Sequence, residues 1–256
     1  MQILEYGMTS EPLGSLLFSA IAAFLYLFMV NQPATLRRTA VKTLAVAMLA
    51  VLALIVDGPL LLIAALLACA AGDALLAQDD ERMFLAGLVT FLIGHILYIA
   101  LFYTSGAMEV VVEQPVRLLI GAAFMVFAML ATLRLVPAAG QLGPPVGAYI
   151  TVIAAMGLSA LLMPGWGAVV GAGLFMASDA VLAAGRFLHA GEDGSQPYGH
   201  FVWISYYLAQ ALMMQNVEVF KAYGVKRIVT CCPHGYNTFK NGYPQFGGNY
   251  EVIYHI

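Results

Sequence analysis

Two aspartates lie in long apolar runs, where a charged side chain is unexpected. Asp73 lies in Gly72-Asp73-Ala74-Leu75-Leu76-Ala77, and Asp179 lies in Ser178-Asp179-Ala180-Val181-Leu182-Ala183. An acidic side chain within a membrane helix costs about 2.5–3.5 kcal/mol, so it faces the protein interior or a watery cavity. Two carboxylates that share such a pocket differ in proton affinity, which suits general acid and base catalysis. The alternative is that each aspartate is hydrated near the membrane surface or is satisfied by neighbouring backbone.

A second group of residues shares one face of a predicted helix. Phe91, Gly94, His95 and Tyr98 are spaced i, i+3, i+4 and i+7, so a single helix presents all four on the same side. From that side, His95 and Tyr98 can hydrogen-bond a carboxylate or a substrate headgroup. An equally good interpretation is a packing stripe, in which Gly94 allows close approach of another helix and His95 bonds a backbone carbonyl.

Other polar side chains are candidates for substrate contact or for helix packing. Tyr206, Tyr207 and Gln210 fall in one apolar run, where Tyr207 and Gln210 are i, i+3 neighbours. An amide inside a membrane usually bonds another helix, and we favour that role over substrate contact. Lys42 and Arg186 stand near the ends of apolar runs, where a long cationic side chain either reaches the membrane surface or meets a phosphate.

This set of side chains favours acid–base chemistry on water. No Cys/His cluster in the apolar runs has metal-ligand spacing, so we expect neither a metal nor a cofactor. No Gly-x-Ser-x-Gly elbow, P-loop or HExxH sequence is present, which argues against covalent catalysis by serine and against nucleotide or zinc chemistry. Tyr149 and Met156, seven residues apart, indicate only helix packing.

The composition requires that these residues be positioned by membrane helices. The chain has 256 residues, of which 62% are hydrophobic and 10% charged, and its mean hydropathy is +0.86. Soluble domains are about half apolar and a quarter charged. The net charge of −3 offers no basic surface, so nucleic acid is not an expected partner. We therefore predict an all-α, multi-pass membrane protein.

Eight apolar stretches approach the length of about 20 residues that a helix needs to cross a membrane. Asn31-Gln32-Pro33, Asp57-Gly58-Pro59 and Pro164-Gly165 separate some of them, as expected for interhelical turns. We predict eight transmembrane helices in residues 1–215, with boundaries at about Pro12–Val30, Thr39–Val56, Pro59–Ala77, Met83–Tyr103, Val116–Val136, Gly147–Met163, Trp166–Arg186 and Gly199–Gln215.

The basic residues predict the orientation of these helices. Inner loops carry more Lys and Arg than outer loops. An outside N-terminus leaves only Arg117 in the outer loops between the spans. No charged n-region with a cleavage site precedes Pro12, so we expect no removable signal peptide. The same orientation gives the inner loops Arg37, Arg38, Lys42, Arg82, Arg134 and Arg186.

The two aspartate segments indicate a weak internal repeat. Four predicted spans separate the Gly-Asp segment at Asp73 from the Ser-Asp segment at Asp179. Two parallel repeats of four helices would place both carboxylates at a similar depth, towards the inner side of the membrane.

Residues 216–256 differ in character from the apolar runs. They are polar and predict a helix, a short strand at Arg227-Ile228-Val229, and a loop rich in Gly, Asn and Tyr. The stretch with Cys231-Cys232-Pro233-His234 resembles the cysteine-rich domain of heterodisulfide-reductase-type iron–sulfur proteins. That family has cysteine where this chain has Gly235, and its other cysteine motifs are missing. A cluster needs several converging thiolates, so we predict a non-functional soluble tail.

Residues 12–215 resemble the lysoplasmalogenase (YhhN-like) family, whose members have eight transmembrane spans. Thr43 departs from the proline that the family often has at this position. The resemblance rests on short motifs in a fixed order: Lys42, Gly72-Asp73, Gly94-His95 with Tyr98, Tyr149 with Met156, Ser178-Asp179, Arg186-Phe187, Tyr207 and Ala209-Gln210.

The resemblance implies hydrolysis of the vinyl ether bond of lysoplasmalogens to a fatty aldehyde and glycerophospho-ethanolamine or -choline. The expected partners are thus a lysophospholipid, water and membrane lipid, in a bacterial cytoplasmic membrane with the N-terminus outside. We expect Asp73 and Asp179 to share the acid and base roles, in an order that the sequence leaves open. The remaining site residues are expected to orient water and glycerol (His95, Tyr98, Tyr207, Gln210) or to meet the phosphate (Lys42, Arg186).

Two other classes of function stay open at this point. A transporter or channel could use Asp73 and Asp179 for proton or cation coupling, although neither half has a clearly broken helix. The tail alone suggests a membrane anchor for an electron-transfer partner. The headgroup preference, the chain-length preference and the oligomeric state are not encoded in any motif that we identify.

Overall fold

The computed structural model describes residues 10–78, 80–188, 198–222, 227–230, 240 and 251–254. Within this part of the chain there are nine α-helices, a 3₁₀ turn at Gly140–Leu142 and two short strands. The helices are α1 (Ser10–Leu27), α2 (Leu36–Ile55), α3 (Leu60–Leu76), α4 (Glu81–Ser105), α5 (Met108–Glu113), α6 (Val116–Ala138), α7 (Gly143–Ala160), α8 (Trp166–Phe187) and α9 (Gly199–Ala222).

Eight of the described helices, all except α5, coincide with the eight predicted apolar stretches. Five have the length and composition needed to cross a membrane, namely α2, α4, α6, α7 extended by the preceding turn, and α8. Shorter apolar helices lie at Pro12–Leu27 and Leu60–Leu76. The all-helical membrane architecture is therefore confirmed at this level, while the eight-span arrangement and the internal repeat stay predictions.

The outer surface of the bundle is apolar and its interior contains polar side chains. The buried polar residues include Ser19, Asp73, His95 and Gln210. A continuous apolar surface of this extent is typical of contact with lipid rather than water. Exposed large apolar side chains occur on helices throughout the bundle, including Phe18, Phe24, Leu54, Val89, Leu119, Leu130, Leu133 and Leu208.

Glycines allow α3 and α4 to pack closely. A Cβ atom at Gly72 would lie 2.6 Å from the ring of Phe91, and one at Gly94 would lie 2.8 Å from Sγ of Cys69. Small residues at such positions let membrane helices approach until their backbones are nearly in contact. The close approach holds Asp73 of α3 beside the face of α4 that carries His95.

Polar side chains also join α1, α2 and α9. The Ser19 hydroxyl donates to the carbonyl of Ala45 at 2.5 Å and lies 2.9 Å from the hydroxyl of Tyr207. The indole Nε1 of Trp203 donates to the carbonyl of Ala23 at 2.9 Å. Because these bonds connect three helices inside the bundle, they fix the rotation of α9 about its axis.

Arg117 lies in the first turn of α6 and is fully buried, so its predicted place in an outer loop is wrong. Its guanidinium donates to the carbonyls of Leu161, Met163 and Pro164 at 2.8–3.2 Å. Those carbonyls follow the end of α7, where helical acceptors have no intrahelical partner. Arg117 therefore closes the α7–α8 turn from inside the protein.

The C-terminal region begins within a helix, because α9 continues past Gln215 to Ala222. The predicted strand at Arg227, Ile228 and Val229 lies within β1 (Arg227–Thr230), which pairs in parallel with β2 (Glu251–Tyr254). The prediction of a loop throughout the segment after β1 is therefore wrong at β2. The cysteine motif at Cys231 and Cys232 lies outside the described residues.

Candidate active site

A cavity of about 300 Å³ opens at one end of the helical bundle. Its lining comes from the C-terminal halves of α1, α3, α6 and α8 and from the N-terminal halves of α2, α4, α7 and α9. Consecutive antiparallel helices bring these ends to the same side. The charged residues of the lining are Arg38, Lys42, Asp73, Asp80, Glu81, Asp179 and Arg186.

Asp73 lies deep in this cavity and is held by two donors. Its Oδ1 is 3.1 Å from Nζ of Lys42, and its Oδ2 accepts a 2.7 Å hydrogen bond from the hydroxyl of Tyr206. The Asp73 side chain is only 1% exposed. An ammonium group at this distance stabilises the ionised carboxylate strongly where water is excluded. Lys42 and Tyr206 therefore both favour the ionised form of the Asp73 carboxyl group, whereas its burial opposes that form.

Asp179 lines the same cavity in a different electrostatic setting. Its Oδ2 accepts a hydrogen bond of 2.5 Å from the hydroxyl of Tyr149, and the side chain is 16% exposed. Among the described residues, no Lys or Arg nitrogen lies within 4.0 Å of its carboxyl group. Asp179 thus has a neutral donor and access to the cavity, which suits a carboxyl group that carries a proton.

His95 is buried behind Asp179 rather than in the cavity lining. Its Nδ1 lies 2.7 Å from the carbonyl oxygen of Phe91, which requires the proton of the neutral ring to be on Nδ1. The other nitrogen, Nε2, is 3.9 Å from Oδ2 of Asp179 and has no hydrogen-bond partner within the described residues. The unprotonated nitrogen of His95 therefore faces the carboxyl group of Asp179.

Aromatic rings fix the positions of these groups. The ring of Phe175 makes edge contacts with His95 and Tyr206 at centroid distances of 4.6 Å and 5.3 Å. His95 makes a further edge contact with Tyr149 at 5.3 Å. Such arrangements are preferred by aromatic pairs and restrict ring rotation. The two tyrosines that bond the carboxylates are therefore held by the same aromatic cluster.

Besides His95, three further predicted substrate-binding residues lie away from the cavity lining. The Tyr98 hydroxyl donates to Oε1 of Gln210 at 2.5 Å, which joins α4 to α9 in the buried core. Tyr207 is paired with Ser19 on the side of α9 that faces α1. The observed contacts of Tyr98, Tyr207 and Gln210 are those of helix packing. The sequence analysis favours this role for Gln210 and gives it as an equal alternative for the helix face that carries Tyr98.

The mouth of the cavity carries charges of both signs. Arg186 lies over the ring of Phe84 with its Cζ 5.1 Å from the centroid, and Phe84 contacts Phe187 edge-on at 6.2 Å. Asp80 caps α4 by accepting from the backbone N–H groups of the following turn. Arg186 thus lines the cavity, and its contact with a substrate headgroup stays a prediction.

Sequence reasoning missed Tyr149, Tyr206 and Arg38 as members of this site. Tyr149 was assigned to packing, and Tyr206 was passed over because Tyr207 has the i, i+3 relation to Gln210. A signal was available for Arg38, which lies four residues before Lys42 and so on the same helical face. Signals existed for the tyrosines too, because Tyr149 is one of the residues that carry the family resemblance and Tyr206 lies four residues before Gln210. Their contacts with the aspartates, however, are visible only in the structure.

Within the described residues, no group of three or more His, Cys, Asp or Glu side chains is placed to hold a metal ion. The polar groups that converge on the cavity are instead carboxylates, hydroxyls, guanidinium groups and one ammonium group. Such groups can move protons and bind a charged lipid headgroup.

The helical bundle and the C-terminal region match different known proteins. The C-terminal region is similar to the EtfAB:quinone oxidoreductase of Syntrophomonas wolfei subsp. wolfei, 63% identical over 49 residues. It is also similar to the probable iron-sulfur-binding oxidoreductase FadF of Bacillus subtilis, 49% identical over 49 residues. In each comparison the match covers 19% of this chain and 7% of the relative.

No solved structure matches the chain. The bundle, in contrast, matches a known family over most of its length. Residues 37–217, which include all of α2 except Leu36, every helix from α3 to α8 and most of α9, match the YhhN family. The resemblance predicted from the short motifs around Asp73, His95 and Asp179 is therefore confirmed, and the chain belongs to the YhhN family.

Proposed function

We propose that this protein is an integral membrane hydrolase that cleaves the vinyl ether bond of lysoplasmalogens. The observation that carries the proposal is the presence of Asp73 and Asp179 in one cavity, where Lys42 pairs with Asp73 and no Lys or Arg of the described residues pairs with Asp179. Membership of the YhhN family fits a lysoplasmalogenase-like membrane hydrolase. The product would be a fatty aldehyde and glycerophospho-ethanolamine or -choline.

The reaction needs one proton donor and one proton acceptor. Protonation of the outer alkenyl carbon, R–CH=CH–O–R′, gives the oxocarbenium ion R–CH₂–CH=O⁺–R′. Water adds to the cationic carbon and loses a proton, which forms a hemiacetal. The hemiacetal then breaks its C–O bond to release R–CH₂–CHO and HO–R′. One water is consumed and the catalytic proton is returned.

Asp179 is the proton donor in this proposal, and Asp73 is the carboxylate. Asp179 lacks a Lys or Arg partner among the described residues and is open to the cavity. Asp73 is ionised because Lys42 lies 3.1 Å away. A fixed anion stabilises the oxocarbenium ion and then accepts the proton of the attacking water. Tyr206 and Tyr149 position the two carboxyl groups by their hydrogen bonds.

His95 is a positioning residue for Asp179. A protonated carboxyl group can present its hydrogen towards the unprotonated Nε2, whereas an ionised one would face the lone pair of that nitrogen. The hydrogen bond from Nδ1 to Phe91 maintains this orientation of the ring. His95 therefore favours the protonated form of Asp179 without touching the substrate.

Proton or cation transport is the alternative use of two membrane carboxylates. Transport sites at the membrane midplane are typically formed by discontinuous helices. The helices that carry Asp73 and Asp179 are continuous over Leu60–Leu76 and Trp166–Phe187. The unbroken helices and the charged cavity mouth favour hydrolysis of a lipid.

We further propose that the protein spans the membrane eight times with its N-terminus outside. The cavity end of the bundle carries the basic residues that predict the inner side, including Arg38 and Arg186. The tail after α9 takes no part in the reaction in this proposal, since the acid and base both belong to the bundle.

The test is fatty aldehyde release from a pure alkenyl lysophospholipid by the purified protein in nanodiscs. Asp73→Asn and Asp179→Asn should each lower the rate by about 10²–10⁴-fold, the usual contribution of a general acid or base. Asp57→Asn is the matched control, because Asp57 lies in the α2–α3 turn at the opposite end with φ 51°, a conformation that Asn also tolerates.

Full aldehyde release by both site variants would contradict the proposal. So would proton or cation uptake into proteoliposomes by the wild-type protein with no lipid cleaved, which would support transport instead.

A further inference from the structure

We propose that Arg38, and not Lys42, binds the phosphate of the lipid headgroup, with Arg186 as the second cation. This inference rests on the proposed function and adds a residue that decides which lipids bind. The family resemblance predicts that Lys42 meets the phosphate. The structure places both arginines in the cavity lining and commits Lys42 to another partner.

The positive charge of Lys42 is already paired with a carboxylate inside the cavity. Its Nζ lies 3.1 Å from Oδ1 of Asp73, and its side chain is 15% exposed. Moving the ammonium group to a phosphate would leave Asp73 as a buried anion without its cation, which is strongly unfavourable. A substrate phosphate therefore needs a different cation.

Arg38 has hydrogen-bonding capacity to spare. Its Nη2 donates one hydrogen bond of 3.3 Å to the carbonyl of Val30, and its buried Nε has no partner within the described residues. No ion pair of its guanidinium occurs in that part of the chain. A buried donor without an acceptor is unfavourable, so a ligand with several acceptor oxygens would be stabilised here. A phosphate fits, because guanidinium groups bind it through two parallel hydrogen bonds.

The spacing along α2 matches the length of the substrate. Arg38 and Lys42 are four residues apart on one helical face, which is about 6 Å along the axis. Arg38 is nearer to the end of α2 and therefore to the cavity mouth. In a lysoplasmalogen, five bonds join the vinyl ether oxygen to the phosphorus, and they extend to about 6 Å at the ~1.2 Å per bond of an extended chain. A lipid with its ether oxygen beside the Asp73–Lys42 pair thus places its phosphate at the level of Arg38.

Arg186 supplies the second positive charge from α8. Its guanidinium lies over Phe84 at the mouth of the cavity. A ring contact leaves the guanidinium edge available for hydrogen bonds. The two arginines line the same cavity from different helices, and the proposal places one phosphate between them.

The experiment compares two substrates that differ only in the phosphate. Aldehyde release is measured for an alkenyl lysophosphoethanolamine and for the alkenyl glycerol that lacks the phosphate group. Arg38→Gln should raise KM for the phospholipid by about 10–100-fold, the loss expected for a charged bidentate contact. Its kcat, and its KM for the alkenyl glycerol, should stay within about twofold of wild type.

Arg37→Gln is the matched control, because Arg37 is the exposed neighbour of Arg38 and does not line the cavity. Arg38→Lys keeps the charge without the bidentate geometry and should give an intermediate KM. If Arg38→Gln does not fold, this second variant carries the test. Equal effects of Arg38→Gln on both substrates, or equal effects of Arg37→Gln and Arg38→Gln, would overturn the assignment.

A binding measurement separates this inference from the proposed reaction. Calorimetry with glycerophosphoethanolamine should show binding to wild type and Arg37→Gln and at least tenfold weaker binding to Arg38→Gln, even if no lipid is cleaved. Inorganic phosphate is the second ligand. Lipid headgroup recognition requires that the glycerophospho-compound bind more tightly than inorganic phosphate. The reverse order would show that the site takes free phosphate, and would overturn the lipid assignment.

Discussion

Each end of this helical bundle holds a cation inside the protein, and the two ends offset its charge in different ways. Arg117 is fully buried and donates to three backbone carbonyls and to Oε1 of Gln114, and its guanidinium lies 4.4 Å from the ring centroid of Trp166. Lys42 at the other end bonds a carboxylate that also faces a cavity. Backbone carbonyls do not titrate, so the first cation can only hold the structure together. The second influences the charge of Asp73, the carboxylate that we propose as the base.

From this difference we expect the Arg117 end to contribute to stability and the cavity end to contribute to activity. A buried charge is tolerated only if it is paired or fully hydrogen-bonded. At the Arg117 end, the backbone carbonyls of the α7–α8 turn meet that condition. The cavity end meets it for Asp73 but leaves Asp179, His95 Nε2 and Arg38 Nε with free hydrogen-bonding capacity among the described residues. Incomplete pairing of this kind is typical of sites that bind and react.

The largest expected effect is on Lys42. Lys42→Met keeps the length of the side chain and removes its charge, so Asp73 would take up a proton and cease to be a fixed anion. Aldehyde release should fall by about 10²–10⁴-fold, as for loss of the catalytic carboxylate itself. Lys42→Arg should retain more activity because it keeps the charge. A Lys42→Met protein with lowered stability and a normal rate would show that this cation is structural, like Arg117.

Arg117 should show the opposite behaviour. Arg117→Met leaves three carbonyls without their donor, and at ~1 kcal/mol for each the free energy of unfolding should fall by about 3 kcal/mol. The rate of aldehyde release per folded molecule should be unchanged. Unfolding in a detergent titration gives the first quantity. Arg134→Met is the control, because Arg134 is exposed on the same helix, α6. A lower rate in folded Arg117→Met would remove the distinction between the two ends.

Gly94 tests whether the cavity end also depends on close helix packing. Gly94→Ala would put a Cβ atom 2.8 Å from Sγ of Cys69, and overpacking of this kind costs about 1–3 kcal/mol. The shift of α4 should also displace His95 and lower the rate. Gly14→Ala, with no atom within 4 Å of its added Cβ, should keep or slightly increase stability. Equal thermal unfolding of the two variants would contradict this packing argument.

Substitution of three tyrosines by phenylalanine should have the smallest effects on rate and stability. Tyr149→Phe and Tyr206→Phe each remove a hydrogen bond to a carboxylate, so each should lower the rate by about tenfold, equivalent to ~1.4 kcal/mol. Tyr98→Phe removes only the bond to Gln210 and should cost about 0.6 kcal/mol of stability, typical of a polar contact between membrane helices. If Tyr98→Phe lowered the rate as much as the other two substitutions, we would infer that Tyr98 acts at the substrate site after all.

The lengths of the apolar stretches predicted the helices well, because the thickness of a membrane sets the number of apolar residues that a spanning helix needs. Each of the eight apolar stretches is a helix, although α2 begins at Leu36, behind the N-cap Thr35, rather than at Thr39. The helix α5 (Met108–Glu113) was missed because six residues between two long apolar runs carry no periodicity. Arg117 was placed in a loop for a related reason: charge alone does not distinguish a loop residue from one that caps a neighbouring helix from within.

The residues that line the cavity were predicted in part. Both aspartates could be identified because intramembrane acids are rare, and both line the cavity. The choice of Tyr207 over Tyr206 shows the limit, since neighbouring residues on a helix point about 100° apart. Only the bonds that set the rotation of α9, such as that from Trp203 to Ala23, decide which tyrosine faces inwards. The pairing of Lys42 with Asp73 likewise depends on contacts between helices.

In the proposed reaction, the position of the cavity at one end of the bundle would determine where the two fragments of the cleaved lipid go. A long-chain aldehyde partitions into the bilayer leaflet beside the protein, while the glycerophospho fragment dissolves in the adjoining aqueous compartment. Because the two fragments enter different phases, they cannot readily recombine, and neither blocks the departure of the other. Any enzyme that oxidises or reduces the aldehyde would therefore meet its substrate at the membrane surface.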